Sequence, residues 1–227
     1  MPKVQYAYLI GSLVMLAIWL VLYLLRKDTR KEMWAASLYV GIASPLTAFL
    51  WWTRGWWLPP NITGTRVGIE DFILGFACGG IAAVLYEEIF KKEFRPRKGK
   101  RHDLGFILLS LFMFGGIAFG FNVLGLPSFW ATAVSLFETA VIFMVLRRDL
   151  FWDALGSAVF MTLACLPFYF TAMAVSSEWI GATYDVGNLS GQLAMGIPIE
   201  ELVFFFLFGF LAGPAYEYWQ NERLIKR

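Results

Sequence analysis

The chain has 227 residues, of which 59% are apolar and only 16% charged, and its mean hydropathy is +0.61. A soluble domain carries about 45–50% apolar and about 25% charged residues, so this composition excludes a soluble enzyme domain, a secreted disulfide module and a disordered regulator. The formal net charge of +2 decides little, because what matters is where the charges lie.

The apolar residues fall in runs long enough to cross a hydrocarbon core of about 30 Å at about 1.5 Å per residue. They predict seven spans, at 5–25, 34–52, 67–90, 104–122, 128–146, 151–173 and 194–218. The first lacks a basic leader and a small-residue cleavage site, so it is a retained span and not a signal peptide. The second ends in Trp51, Trp52, Trp56 and Trp57, which read as an interfacial aromatic belt. After the third comes the basic run from Lys91 to Arg101. It is a loop that fixes topology and meets anionic head groups, and nucleic acid is not expected as a partner. Cys78 and Cys165 lie within spans and read as reduced, buried small apolar residues. The single histidine, His102, sits in the basic loop; a histidine-based metal centre is not expected, and no metal site is predicted.

Lys and Arg are sorted by side. The loops after spans one, three and five, with the C-terminal tail, hold 16 of the 19 basic residues, and Lys3, Arg54 and Arg66 are the remainder. The positive-inside rule then puts the N-terminus outside and the C-terminus in the cytoplasm. A multi-pass protein of the cell membrane is the expectation.

Two segments echo each other. Gly68-Ile69-Glu70-Asp71-Phe72 matches Pro198-Ile199-Glu200-Glu201-Leu202 at an offset of 130, and Tyr86-Glu87 and Gly79 match Tyr216-Glu217 and Gly209 at the same offset. Upstream, Leu25-Arg26-Lys27-Asp28 resembles Leu146-Arg147-Arg148-Asp149. The expected architecture is therefore an all-α membrane protein forming one transmembrane domain over 1–227. It contains two three-helix units (1–95 and 126–222; spans one to three and five to seven) joined by a linker helix at 104–122. Equivalent helices are four spans apart, so the repeat is parallel, about an axis near the membrane normal.

Acidic residues inside a span are costly and are functional candidates by default. Glu200 and Glu201 are expected one to two turns inside span seven, after Pro198, and their flanks are wholly apolar. Glu70 and Asp71 sit likewise in span three, flanked by Arg66; for them the alternative is that they complement the helix dipole and stay wet. Adjacent acids in a low dielectric do not both ionise easily, which yields a proton donor beside a proton acceptor. Glu138, about ten residues into span five, is a third candidate, with a buried polar contact to Ser135 or Thr139 as the alternative. Glu87 and Glu217 lie 16 residues beyond Asp71 and Glu201, on a nearly opposite helix face, and read as structural anchors. Gly75-x-x-x-Gly79, Gly116-x-x-x-Gly120 and Gly209-x-x-x-Gly213 suggest close helix packing. Span seven has no lysine, so a covalent retinal protein is excluded. The glycines at 115–120 do not form a dinucleotide fingerprint.

At Pro198-Ile199-Glu200-Glu201-Leu202-Val203-Phe204-Phe205 the sequence resembles the integral-membrane lycopene cyclases, whose pattern is Pro-x-Glu-Glu/Asp followed by apolar and aromatic residues in repeated three-helix units. The resemblance covers both units and leaves out span four. In the first unit Gly68 stands where the motif has Pro.

The resemblance implies redox-neutral cyclisation of a linear ψ end group to a β-type ring, with no cofactor and with a lipophilic carotenoid in the bilayer as substrate. It implies that Glu200 or Glu201 donates the proton and that the pair, or Glu70 and Asp71, removes one. Phe204, Phe205 and Phe72 would face the passing cation, each aromatic contact worth about 0.5–2 kcal/mol, and Pro198 would complete the substrate site. A carotenoid hydratase and a non-catalytic isoprenoid-binding protein are the alternatives. Whether the chain forms a homo-oligomer or contacts other carotenoid enzymes is left open.

Overall fold

The computed structural model describes residues 3–97 and 99–226, with side chains described at all of these except 93–96, 186 and 223–226. Of the basic clusters, Lys98 and Arg227 therefore lie outside the described residues, as do the side chains of Arg95, Arg223 and Lys226. Among the described residues, seven helical rods are long and apolar enough to cross a membrane: Val4–Leu25, Arg30–Trp52, Ile69–Phe90, Asp103–Asn122, Ser128–Leu146, Arg148–Val175 and Ile199–Gln220.

Several rods are interrupted where proline requires it. The first is α1 (Val4–Leu25); the second begins as α2 (Arg30–Thr47) and ends in a π-helical turn, Ala48–Trp52. Pro45 inside α2 removes one donor from the helical ladder, and the Thr47 hydroxyl donates to the Ala43 and Ser44 carbonyls beside it. The third, fourth and fifth rods are α3 (Ile69–Phe90), α4 (Asp103–Asn122) and α5 (Ser128–Leu146). The sixth is α6 (Phe151–Ala164) and α7 (Leu166–Val175), divided at Cys165 just before Pro167. A short helix, α8 (Trp179–Thr183), follows. The seventh is α9 (Ile199–Ala212) and α10 (Ala215–Gln220), divided at Pro214.

Glycine lets the rods approach closely. A Cβ on Gly79 of α3 would stand 2.6 Å from the Ala36 carbonyl oxygen of α2, and one on Gly209 of α9 would stand 2.6 Å from the Ser157 carbonyl oxygen of α6. Large aliphatic and aromatic side chains such as Leu24, Ile42, Leu111, Phe137 and Leu163 remain exposed on the outside of the bundle, the pattern of a surface solvated by lipid. The interior is aromatic: Tyr8, Phe129, Phe168, Tyr169 and Trp179 are fully buried. Between α2 and α3 on one side and α4, α5 and α9 on the other lies an apolar cavity of about 440 Å³.

At the end carrying the basic loops, β1 (Lys92–Pro96) pairs antiparallel with β4 (Glu222–Lys226). Two arginines anchor this end in matching ways. Arg26 grips Asp28 and donates to the carbonyls of Glu87 and Lys92; Arg147 grips Asp149 and donates to the carbonyls of Glu217 and Glu222. The hydrogen bonds that Arg26 donates to Asp28 hold its guanidinium above its ordinary pKa in spite of its burial. At the other end the two long loops meet, with Trp57 bridged to Tyr184 and the Leu58 N–H donating to the Thr183 carbonyl.

The rods agree with the predicted spans except at the seventh. There the chain makes a short hairpin, β2 (Leu193–Ala194) with β3 (Ile197–Pro198), and the helix starts only at Ile199. Glu200 and Glu201 therefore lie in the first helical turn and not one to two turns inside it; Glu70 and Asp71 hold the same positions in α3.

Candidate functional site

All four motif carboxylates are buried, but they divide into two kinds. Glu70 accepts a hydrogen bond from the Ile62 N–H at 2.9 Å and Glu200 one from the Ser190 N–H at 2.6 Å. Each thus pins the loop that leads into its own helix. The second acid of each pair turns inward. Asp71 Oδ1 accepts from the Tyr8 hydroxyl at 2.9 Å. Glu201 accepts from Trp56 Nε1–H at 2.6 Å on one oxygen and from the Tyr169 hydroxyl at 2.5 Å on the other. Among the described residues, Glu201 is the acid in the cavity wall.

The residue three places before each inward acid explains the difference. Gly68 has an N–H, and Asp71 Oδ2 accepts from it at 2.9 Å, half of a capping box. Pro198 has none, so Glu201 has no such donor at its helix start and is left for Trp56 and Tyr169. A Cβ at Gly68 would also meet Glu70 Oε2 and crowd Asn61.

Around Glu201 the wall is aromatic. Trp56 meets Trp52 edge-on at 5.5 Å, Phe204 at 5.3 Å and Phe129 at 5.2 Å, and Tyr169 meets Phe205 at 6.2 Å. The Tyr184 hydroxyl donates to that of Tyr169 at 3.3 Å. Burial, and after it the Glu201 charge, push the Tyr184 phenol well above its ordinary pKa, so it stays a neutral donor. Lining positions run from Glu201 to Trp219, about 27 Å of helix, which makes the cavity a long slot. Exposed Leu38 and Tyr39 stand at its rim, where the Tyr39 hydroxyl donates to Ser110 of α4 at 2.8 Å.

Of the residues singled out from sequence, Glu201, Phe204 and Phe205 line the slot, and Asp71 reaches its wall through Tyr8. Phe72 packs against Phe76 and Gly41, outside the slot. Pro198 caps α9. Glu138 is exposed on α5, apart from this group, and its neighbour Thr139 donates to the Ser135 carbonyl instead. Trp52, Trp56 and Tyr169 were not singled out as partners of the acid. The tryptophans were legible only as a belt, and Tyr169 had no local signal beyond Pro167 nearby.

A bundle of membrane-crossing helices that holds a hydrogen-bonded carboxylate in the wall of a long apolar slot defines a class: a multi-pass membrane protein with an acid facing a lipophilic compartment. The chain matches a family model described as lycopene cyclase over residues 5–89 and 127–219, and it belongs to the lycopene cyclase family. The two matched segments leave out α4. Comparison with curated proteins and with solved structures gave no match. Membership of the family implies a role in carotenoid biosynthesis and a carotenoid substrate.

Proposed function

We propose that the protein is a lycopene cyclase in which Glu201 delivers the initiating proton. The observation that carries the reading is the placing of one buried carboxylate, framed by aromatic rings, in the wall of an elongated apolar slot. A linear polyene lies along such a slot with its end group against the acid. Two parallel units, with the N-terminus outside, give this arrangement its frame; the matched contacts of Arg26 and Arg147 support that reading.

The chemistry follows in three steps. Protonated Glu201 gives its proton to the terminal double bond of the ψ end group, leaving a tertiary cation. The C5–C6 double bond attacks that cation, closing the six-membered ring and moving the charge to C5. Loss of the C6 proton forms the ring double bond, so electrons and atoms balance without a redox partner. The acid form of Glu201 is accommodated because a tyrosine hydroxyl both donates and accepts: Tyr169 takes the acid proton's hydrogen bond on its oxygen and turns its own O–H to the Tyr184 oxygen. Trp52, Trp56 and Phe204 offer ring faces to the cation, each worth about 0.5–2 kcal/mol. Glu201, once ionised, or Asp71 through Tyr8 takes the departing proton. The apolar lining favours capture of the cation by the internal double bond over capture by water, which is the argument for a cyclase and against a hydratase.

The test is expression in a lycopene-accumulating bacterium with chromatography of the pigments. A monocyclic or bicyclic carotene from the wild-type protein, absent with Glu201→Gln at equal membrane abundance, is the expected result. A hydroxylated acyclic product would replace the cyclase by a hydratase, and unchanged lycopene with both proteins would leave a binding role.

A further inference from the structure

At the basic end, outside the lining of the slot, four carboxylates from four helices converge: Glu32 of α2, Glu87 of α3, Asp153 of α6 and Glu217 of α10. All are at most 3% exposed. Glu87, Asp153 and Glu217 each offer an oxygen within 4.8 Å of the others, and Glu32 is near enough to interact electrostatically with all three. Both oxygens of Glu32, Glu87 and Glu217, and Oδ2 of Asp153, have no hydrogen-bond partner among the described residues. The remaining oxygen, Asp153 Oδ1, accepts from Ser157 at 3.2 Å.

A buried, unpaired carboxylate is costly, and four together compound the cost. The basic groups nearby do not remove it. Arg26 is the described cation that acts on Glu32 and Glu87, yet its guanidinium is bound to Asp28 and Glu88. Arg147 is bound to Asp149. Glu222, also facing Glu32, adds negative charge.

We propose that Glu87, Asp153 and Glu217, with Glu32 beside them, bind one divalent cation of the hard, oxygen-seeking kind (Mg²⁺, Mn²⁺ or Ca²⁺), which ties the two halves of the bundle together. The donor set is entirely carboxylate, which suits such cations and not thiolate- or imidazole-seeking ones. The spacing also fits: oxygens on opposite sides of an ion at about 2.0–2.6 Å stand about 4.0–5.2 Å apart. The argument from sequence against a metal rested on histidine, and this chemistry needs none. The site is about 24 Å of helix from Glu201, so the ion is structural and takes no part in the proton transfer.

The experiment uses the full-length protein in detergent, stripped with EDTA and titrated with Mn²⁺ under electron paramagnetic resonance, with thermal unfolding in parallel. The expected result is close to one Mn²⁺ per chain, displaced by Mg²⁺ or Ca²⁺, and a melting temperature that EDTA lowers and Mn²⁺ restores. Glu87→Gln should weaken binding by at least roughly tenfold, the lower end of what loss of even an outer-shell partner does, while the exposed Glu138→Gln leaves it unchanged. Asp153→Asn provides a second reading should Glu87→Gln fail to fold. Wild-type protein that binds no Mn²⁺, ignores EDTA and shows the infrared carbonyl band of protonated carboxylic acids, lost in Glu87→Gln, would overturn the proposal: the cluster would then hold protons. Binding that persists in both variants would equally overturn it.

Discussion

Glu200 and Glu201 are neighbours with different duties, and that difference sets the sharpest expectations. Glu201→Gln removes the proposed proton donor while keeping the shape and an acceptor for Trp56, so cyclisation should fall by about 10²–10⁴-fold, the range for loss of a positioned acid. Glu200→Gln retains an oxygen for the Ser190 N–H and should cost far less, as pigment chromatography at matched membrane abundance will show. Pro198 offers a subtler case. Pro198→Gly restores an N–H at the helix start, and Glu201 can then fold back on it as Asp71 does on Gly68. One charged hydrogen bond is worth about 1.5–3 kcal/mol, so activity should drop by about tenfold or more with the protein still folded by thermal unfolding. The acids themselves stand out in the sequence against apolar flanks. Their partners do not, because Trp56 lies 145 residues from Glu201 and Tyr169 lies 32 away, and no local pattern encodes such contacts.

At the scale of the element, the helices follow from composition, but which faces are interior does not. Sequence arithmetic placed Glu87 on the side of α3 nearly opposite Asp71, and it read as a structural anchor. Yet α3 is buried at Glu70, Asp71, Gly75, Ala82, Val84 and Glu87 alike, because it is packed on most of its circumference, and its opposite faces both look into protein. The small-residue stripes were legible as packing signals, and the approach of Gly209 to the Ser157 carbonyl shows why. Gly209→Leu forces bulk into that contact; overpacking of this kind costs about 1–3 kcal/mol, so it should lower the melting temperature in detergent. Gly115→Leu on α4, where a Cβ meets nothing within 4 Å, should leave it unchanged. The start of α9 was misjudged because the apolar residues Leu193, Ala194 and Ile197 form the hairpin before the helix, and hydropathy does not distinguish a short apolar strand from a helical turn.

For the molecule as a whole, the slot takes its shape from the placing of one helix, α4, beside α2 and α5. Helix α4, the segment outside both family matches, stands against α5 through Gly116 and Gly120 and meets α2 through Tyr39, by its hydroxyl on Ser110 and its ring on Phe106. It therefore supplies one wall without filling the space, and the slot can run from the acid at one end of the bundle to Trp219 at the other. If the proposed reaction uses that length, the far end measures the substrate. Leu109→Trp on α4, in the wall near the basic end, should block full-length lycopene while leaving Glu201 and its hydrogen bonds untouched. A shortened polyene bearing one ψ end group should still cyclise at close to the wild-type rate in membranes carrying this variant. Comparing the two substrates by product chromatography separates the alternatives: equal loss for both would mean that the polyene does not lie along the slot, and no loss for either would mean that its tail leaves through another seam.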